Sequence, residues 1–359
     1  MQNKYLLAFN AHPKIGSKTL KKIIYAFDEK VELAWSASQS ELEKKLEQKV
    51  VDLVIEARRD YDPDKEVEKL QKLDIGYITM YDKAYPPLLL ETPDCPVVLY
   101  LKGDVSCLKL ANIGVVGSRK YSNYGKVMAE KFSKDCVKSG LAVGSGLALG
   151  IDAIAHRAAL DAGGITIGVL GCGLDQIYPI SNVNLAREII QNNGAIISEF
   201  PPGTPPYKQN FPLRNRIIAG LSVGVLVIEA AEKSGALITA YEAVDYNREV
   251  FVIPGDINRE TSKGSNTLIQ SGAKLVTCID DILIELKMES KKSEQRAIEI
   301  LPETPEETIV FDILKGGESN GDVLVEKSKL NIMVLNTTLT MMEMKGIIVN
   351  IGGGRYKLK

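Results

Sequence analysis

"FPLRNRIIAGLSVGVLVIEA", residues 211–230, decides how this sequence is read. Its first half has helical spacing and carries Arg214, Asn215 and Arg216. Its second half, from Val223, is an unbroken apolar run, as a strand buried on both faces requires. Cations are unfavourable at the positive end of a helix dipole. An arginine pair at a helix start therefore predicts an anion bridging the guanidinium groups and the helix amides.

The same texture repeats on both sides of this stretch. From Asn112 onward, short apolar runs end in glycine or a small residue and give way to helical patterns. The runs are "NIGVVG", "LAVGSG", "ITIGVLG", "GAIISEF", "VGVLVIEA" and "EVFVIPG". The intervening helices are "SNYGKVMAEKFSKDCVK", "GIDAIAHRAALDAG", "SNVNLAREIIQNN", "RNRIIAGLS" and "SGALITAYEAVDYNR". Apolar strands alternating with helices predict an α/β domain with a mostly parallel sheet covered on both faces. Ligands of such sheets bind beyond the carboxyl ends of the strands, where all these glycine-rich turns fall.

Three other textures flank this region. Residues 1–75 show helical periodicity, as in "TLKKIIYAF", and predict a small all-helical module. Residues 76–288 form the α/β domain, entered through the proline-rich "YDKAYPPLLLETPDCPVVLYLKG" with a strand over Val97–Leu101. Residues 289–305 read as a charged linker. Residues 306–359 read as helices followed by a glycine-turn hairpin, an order that suits a winged helix.

Composition narrows the function class. The chain has 359 residues, 45% hydrophobic and 25% charged, with a formal net charge of −2. Near-neutral charge argues against a polybasic nucleic-acid binder, so any anion site must be a local concentration of cations. Five cysteines without CxxC pairing read as reduced thiols. Two histidines are too few for a His-built metal centre. No leader-like start and no membrane-length apolar run are evident, which predicts a cytoplasmic protein without metal or cofactor.

Four turns could carry chemistry, and each has an ordinary structural reading beside it. "VVGSRKYSNYG" places Gly117, Ser118 and Arg119 after a strand with a helix opening near Ser122. That is either an anion cradle closed by a forked donor or a plain turn with a solvated arginine. "GSGLALGIDAIAH" places Gly146 before a helix with Asp152 and His156 one turn apart; they brace an anion loop, or His156 is simply a satisfied helix residue. "GCGLDQIYP" offers Asp175 and Tyr178, or is equally a plain left-handed turn. "EAAEKSGALITA" opens a helix at Ser234 and Gly235 and continues through Thr239; Ser234 is equally a plain N-cap. A row of such turns on one sheet edge suits a polymer of phosphates better than one nucleotide. Phe211 and Tyr207 are candidate stacking faces for bases.

The words "GSRKYSNYG", "GSGLALGIDAIAH", "GVLGCGLDQIYPISN", "SEFPPGTPP", "FPLRNRIIAGLS", "VIEAAEKSGALITA" and "VFVIPG" occur in one order over residues 81–286. In that order they closely resemble the DprA/Smf family of bacterial DNA-processing proteins. The resemblance implies an extended Rossmann-like fold that binds single-stranded DNA, loads the RecA recombinase and forms a homodimer. It implies a DNA pocket at Gly117, Ser118, Arg119, Arg214, Asn215 and Arg216, with no catalytic residue. It also implies a sterile-alpha-motif-like or helix-hairpin-helix-like N-terminal module and a winged helix at the C-terminus. The presumed recognition helix, Val334–Met344, has no Lys or Arg, so duplex DNA and protein are both open as its partner. A competing reading is a Rossmann-like phosphoribohydrolase of the lysine-decarboxylase-like kind, with Glu229 and Glu242 as its carboxylates; on the DNA-binding reading Glu229 instead supports the site by orienting the local loop or Arg216. A third is a pure scaffold for RecA.

Overall fold

The structure, a computed structural model, describes residues 3–288, 302, 304–317, 319–345 and 347–358. The chain forms two compact units, Met1–Ser290 and Lys291–Lys359. The predicted linker lies outside the described residues over 289–301.

In the first unit, helices α1 (Asn3–Ala11), α2 (Ser17–Ala26), α3 (Val31–Ser36), α4 (Gln39–Lys45), α5 (Gln48–Asp60) and α6 (Pro63–Lys72) come first. Their amphipathic faces bury Leu6, Phe9, Leu20, Ile23 and Val54 in a cluster that continues into Val98, Tyr100 and Ile196 of the sheet. The amide of Asn10 donates to the Tyr100 hydroxyl at 3.1 Å, fixing α1 on the sheet.

The sheet strands are β1 (Gly76–Thr79), β2 (Val98–Gly103), β3 (Asn112–Val116), β4 (Ala142–Ser145), β5 (Thr166–Val169), β6 (Ala195–Ser198), β7 (Gly224–Val227), β8 (Glu249–Val252) and β9 (Lys274–Leu275). Their order is β1-β2-β6-β5-β4-β3-β7-β8-β9. Pairing is parallel from β6 to β9, while β1 and β2 add an antiparallel edge. Between the strands run α7 (Pro87–Leu90), α8 (Asn123–Lys138), α9 (Ile151–Asp161), α10 (Val183–Gln191), α11 (Asn210–Leu221), α12 (Gly235–Asp245) and α13 (Glu260–Gln270); α14 (Ile279–Glu285) follows β9.

Successive strand side chains point to opposite faces, and both faces are apolar. In β7, Val225 and Val227 join Ile217, Ile218 and Leu237 of α11 and α12. Leu226 between them joins Phe132 of α8, Ile151 of α9 and Ile282 of α14 on the other face. Each such burial is worth about 1.5–3 kcal/mol, which makes the sheet a rigid base for the turns above it. From β3 the chain winds outward through β4, β5 and β6, then α11 carries it back to β7 on the far side of β3. The order reverses between β3 and β7, so a crevice opens at their carboxyl ends.

One boundary differs from expectation in a way that matters. α11 begins at Asn210, not at Arg214. Pro212 falls in its first turn, where the missing N–H costs nothing. Arg214 and Arg216 therefore sit in the second turn, away from the positive helix end.

The second unit contains α15 (Pro305–Leu314), β10 (Ser319–Asn320), α16 (Gly321–Ser328), α17 (Ile332–Met344), β11 (Ile348–Asn350) and β12 (Arg355–Leu358). Its sheet order is β10-β12-β11 around a core of Val310, Leu314, Leu324, Leu339 and Met342. Helix, strand, two helices and a hairpin is the element order expected of a winged helix. No helix among the described residues is long and apolar enough to cross a membrane.

Candidate nucleic-acid interface

A cleft of about 800 Å³ lies at the β3/β7 crevice. Its walls come from the turns after β3 (Gly117, Ser118, Arg119, Lys120), before and within α11 (Lys208, Phe211, Arg214, Asn215) and before and at the start of α12 (Lys233, Ser234, Gly235), closed by Ala148, Asp152, Tyr178, Thr239 and Thr261. Sequence words separated by more than a hundred residues thus meet in one place.

Two of the four predicted anion cradles are already filled by the protein's own carboxylates. Glu229, at the end of β7, is buried. One of its oxygens accepts the Ser122 amide at 2.9 Å and the other accepts the Thr261 hydroxyl. Its carbonyl takes the Ser118 amide at 2.7 Å. Ser122 itself caps α8 through the Gly125 amide at 3.0 Å. The positive end of α8 is therefore compensated internally, and Ser122 lies off the cleft. A Cβ on Gly125 would fall 2.2 Å from the Glu229 carboxylate, so only glycine permits this approach.

The Gly146 turn is filled in the same way. Its amide donates to Asp152 at 3.1 Å, and its carbonyl accepts Arg214. Burial raises the Asp152 pKa, opposed by Arg214 and by the Gly146 and Ala148 amides. His156 does not brace this loop. It is fully buried, its Nδ1 lies 2.6 Å from the Thr166 hydroxyl, and burial with nearby Arg214 pushes its pKa down to about 3. It is a neutral core histidine.

The arginine pair also departs from expectation. Residues two apart on a helix point about 160° away from each other, so one phosphate cannot lie between Arg214 and Arg216. Arg214 is only 3% exposed and donates to the carbonyls of Gly146 and Val169 beside Asp152. Burial pulls its pKa down to about 10. Arg216 lies off the cleft, paired with Glu199 and Asp94. Asn215, between them, donates to the Gly235 carbonyl at 3.2 Å.

What remains open to a ligand is specific. Ser234 caps α12 through the Ala236 amide, Gly235 has open space around it, and both face the cleft. Arg119 is exposed with its guanidinium 5.6 Å from the Phe211 ring centre. Phe211 lies 5.5 Å from Tyr178. Lys120, Lys208 and Lys233 are exposed on the same walls. None of these four cations forms an ion pair among the described residues. Asp152 is the one lining carboxylate among the described residues. The cleft is positive in a chain whose formal net charge is −2.

Sequence reasoning missed the three lysines. Lys120 and Lys233 sit inside the quoted words "GSRKYSNYG" and "EAAEKSGALITA" and Lys208 stands between two others; none has periodicity, and only the fold gathers them. Tyr207, expected to stack, is exposed but does not line the cleft. Glu229 and Glu242, the candidate hydrolase carboxylates, also lie outside it.

A sequence profile described as DNA recombination-mediator protein A matches residues 76–287. The chain belongs to the DNA recombination-mediator protein A family. Protein Smf of Escherichia coli K12 is 36% identical over 352 residues, covering 92% of each chain. The crystal structure of DNA processing protein A from Streptococcus pneumoniae aligns with TM-score 0.70 at 37% identity, covering 79% of this chain and 97% of that one. The Helicobacter pylori DNA processing protein A, whose single-stranded DNA binding mode has been described structurally, aligns with TM-score 0.53 at 33% identity over 59% of this chain and 95% of that one. The span shared with the DNA recombination-mediator family contains every residue of the cleft.

Proposed function

We propose that the cleft grips single-stranded DNA through phosphates and base faces, without reading sequence and without cutting the strand. The carrying observation is four exposed, unpaired cations beside the Tyr178–Phe211 pair, all on one cleft. Phosphate contacts give sequence-independent affinity, and aromatic faces accept any base once it is unstacked. A duplex hides those faces, so the pairing favours a single strand. The Helicobacter pylori relative's single-stranded DNA binding supports the reading.

Of the sites first expected, Gly117, Ser118, Arg119, Phe211, Asn215, Ser234 and Gly235 border the bound strand. Arg214 supports the floor with Asp152 and Thr239. We further propose a cytoplasmic homodimer that hands its strand to RecA. We propose the division into residues 1–75, 76–288, 289–305 and 306–359 as working modules. In the last of these, α17 carries no Lys or Arg and exposes Ile332, Met333, Met341 and Met344, which favours a protein partner over duplex phosphate.

The hydrolase alternative loses its support. Both Glu229 oxygens are occupied by Ser122 and Thr261. Burial and Asp94 raise the Glu242 pKa at a position off the cleft. The test is anisotropy of labelled oligo-dT against a duplex of equal length. The single strand should bind more tightly, and Arg119→Ala or Lys208→Ala should each lower the salt slope by about 0.7. Unchanged affinity and slope in both variants would refute the site.

A further inference from the structure

Three consecutive residues of α11 tie it to three different neighbours, because each lies about 100° further round the helix. Arg214 reaches the ends of β4 and β5, through Gly146 and Val169. Asn215 reaches the first residue of α12. Arg216 turns away from the cleft. Its guanidinium pairs with Glu199 just past β6, and it holds both the carboxylate and the carbonyl of Asp94 in the segment leading to β2. The side chains of Arg216 and Glu199 are each 11% exposed. The Asp94 carboxylate is fixed in turn by the Tyr246 hydroxyl at the end of α12.

The first turn of the same helix carries Phe211, which packs between Arg119 and Tyr178 in the cleft. A rotation of α11 would swing Phe211 out of that stack. Arg214 and Asn215 both hold the helix from the cleft side, which leaves it free to pivot about that side. A tether on the opposite side removes the pivot, and Arg216 supplies it. A buried ion pair need not add net stability, and fixing a register is an attested use of one.

We infer that Arg216 is a positioning residue for the single-stranded DNA site: from the far side of α11, through Glu199 and Asp94, it holds Phe211 in register without touching DNA. This deepens the proposed function and rests on it.

The experiment uses the full chain and labelled oligo-dT, with affinity measured over a series of salt concentrations. The variants are Arg216→Gln, Glu199→Gln and Asp94→Asn, each first shown by near-ultraviolet circular dichroism to be folded. All three should weaken binding by roughly 2- to 30-fold with the salt slope unchanged. Asp94→Asn, at a half-exposed position, carries the test if the buried variants fail to fold. A direct phosphate contact gives a different pattern and overturns the inference: Arg216→Gln then lowers the slope by about 0.7, while Glu199→Gln frees the arginine and binds as well as or better than the parent. Wild-type affinity in every folded variant, with Arg119→Ala still impaired, overturns the inference alone. Parent protein that ignores oligonucleotides overturns both the inference and the reading beneath it.

Discussion

Replacing Arg214 by alanine should damage stability before it damages binding. The guanidinium is 3% exposed and donates to two carbonyls at the ends of β4 and β5. Its charge faces Asp152, which is itself buried. Removing Arg214 takes away the main charge compensating the buried Asp152 and leaves two carbonyls without their donor, at a cost of about 3–5 kcal/mol if it behaves as loss of a buried charge partner, against a total stability on the order of 5–15 kcal/mol. Part of that cost should depend on pH. Burial already raises the Asp152 pKa, and Arg214 is the largest force opposing the rise; its loss raises the pKa further. A folded pKa above the unfolded one adds stability at acid pH that disappears as pH climbs through the folded value. The deficit of Arg214→Ala should therefore shrink as pH falls from 7 toward the ordinary carboxylate range. The double variant Arg214→Met/Asp152→Asn should recover about 1–3 kcal/mol, because no charge is left stranded. Urea unfolding followed by circular dichroism, at several pH values, measures each quantity. A loss below about 1 kcal/mol at pH 7, accompanied by a smaller DNA salt slope, would show Arg214 to be a solvent-facing phosphate ligand and refute this account.

Phe211→Ala should weaken single-strand binding by about 1–3 kcal/mol while leaving the salt slope intact; a changed slope in a folded variant would count against a stacking role. His156, with its folded pKa depressed to about 3, contributes stability that is present above its unfolded value near 6.5 and lost as pH falls between the two. His156→Gln should therefore flatten the acid side of the stability profile, by at most about 5 kcal/mol, and an unaltered profile would mean that the ring is hydrated. Gly125→Ala, with its Cβ 2.2 Å from the Glu229 carboxylate, should lower the melting temperature and, by displacing the Ser118 turn, reduce DNA affinity; a variant as stable as the parent would sink the close-approach argument.

The sheet was legible because its evidence is local. "NIGVV", "AIIS" and "GVLV" are apolar except for Asn112 and Ser198 at their ends, and all of their residues are buried. The helix start at Asn210 was not legible, since Pro212 looks like a barrier and is in fact a tolerated first-turn residue. The site was legible as a set of words but not as a set of directions. Arg119 faces the cleft, whereas Arg216, in an equally suggestive word, faces Glu199. Sequence spacing fixes where a side chain leaves the helix, and only tertiary packing fixes whether water, carboxylate or ligand meets it. Lys208 and Lys233 were overlooked for the converse reason: a solitary lysine in a loop carries no pattern until folding gives it neighbours.

The carboxylates of Glu229 and Asp152 occupy seats that, on a sheet of this architecture, a mononucleotide's phosphate would otherwise take. With permanent internal tenants there, free nucleotides find few strong holds, and a grip worth having must be summed along a chain from the α12 amides, the scattered lysines and the aromatic pair. On the proposed reading, attraction of that kind grows with the length of the oligomer offered, so a single phosphate would be held weakly where an exposed strand is held well.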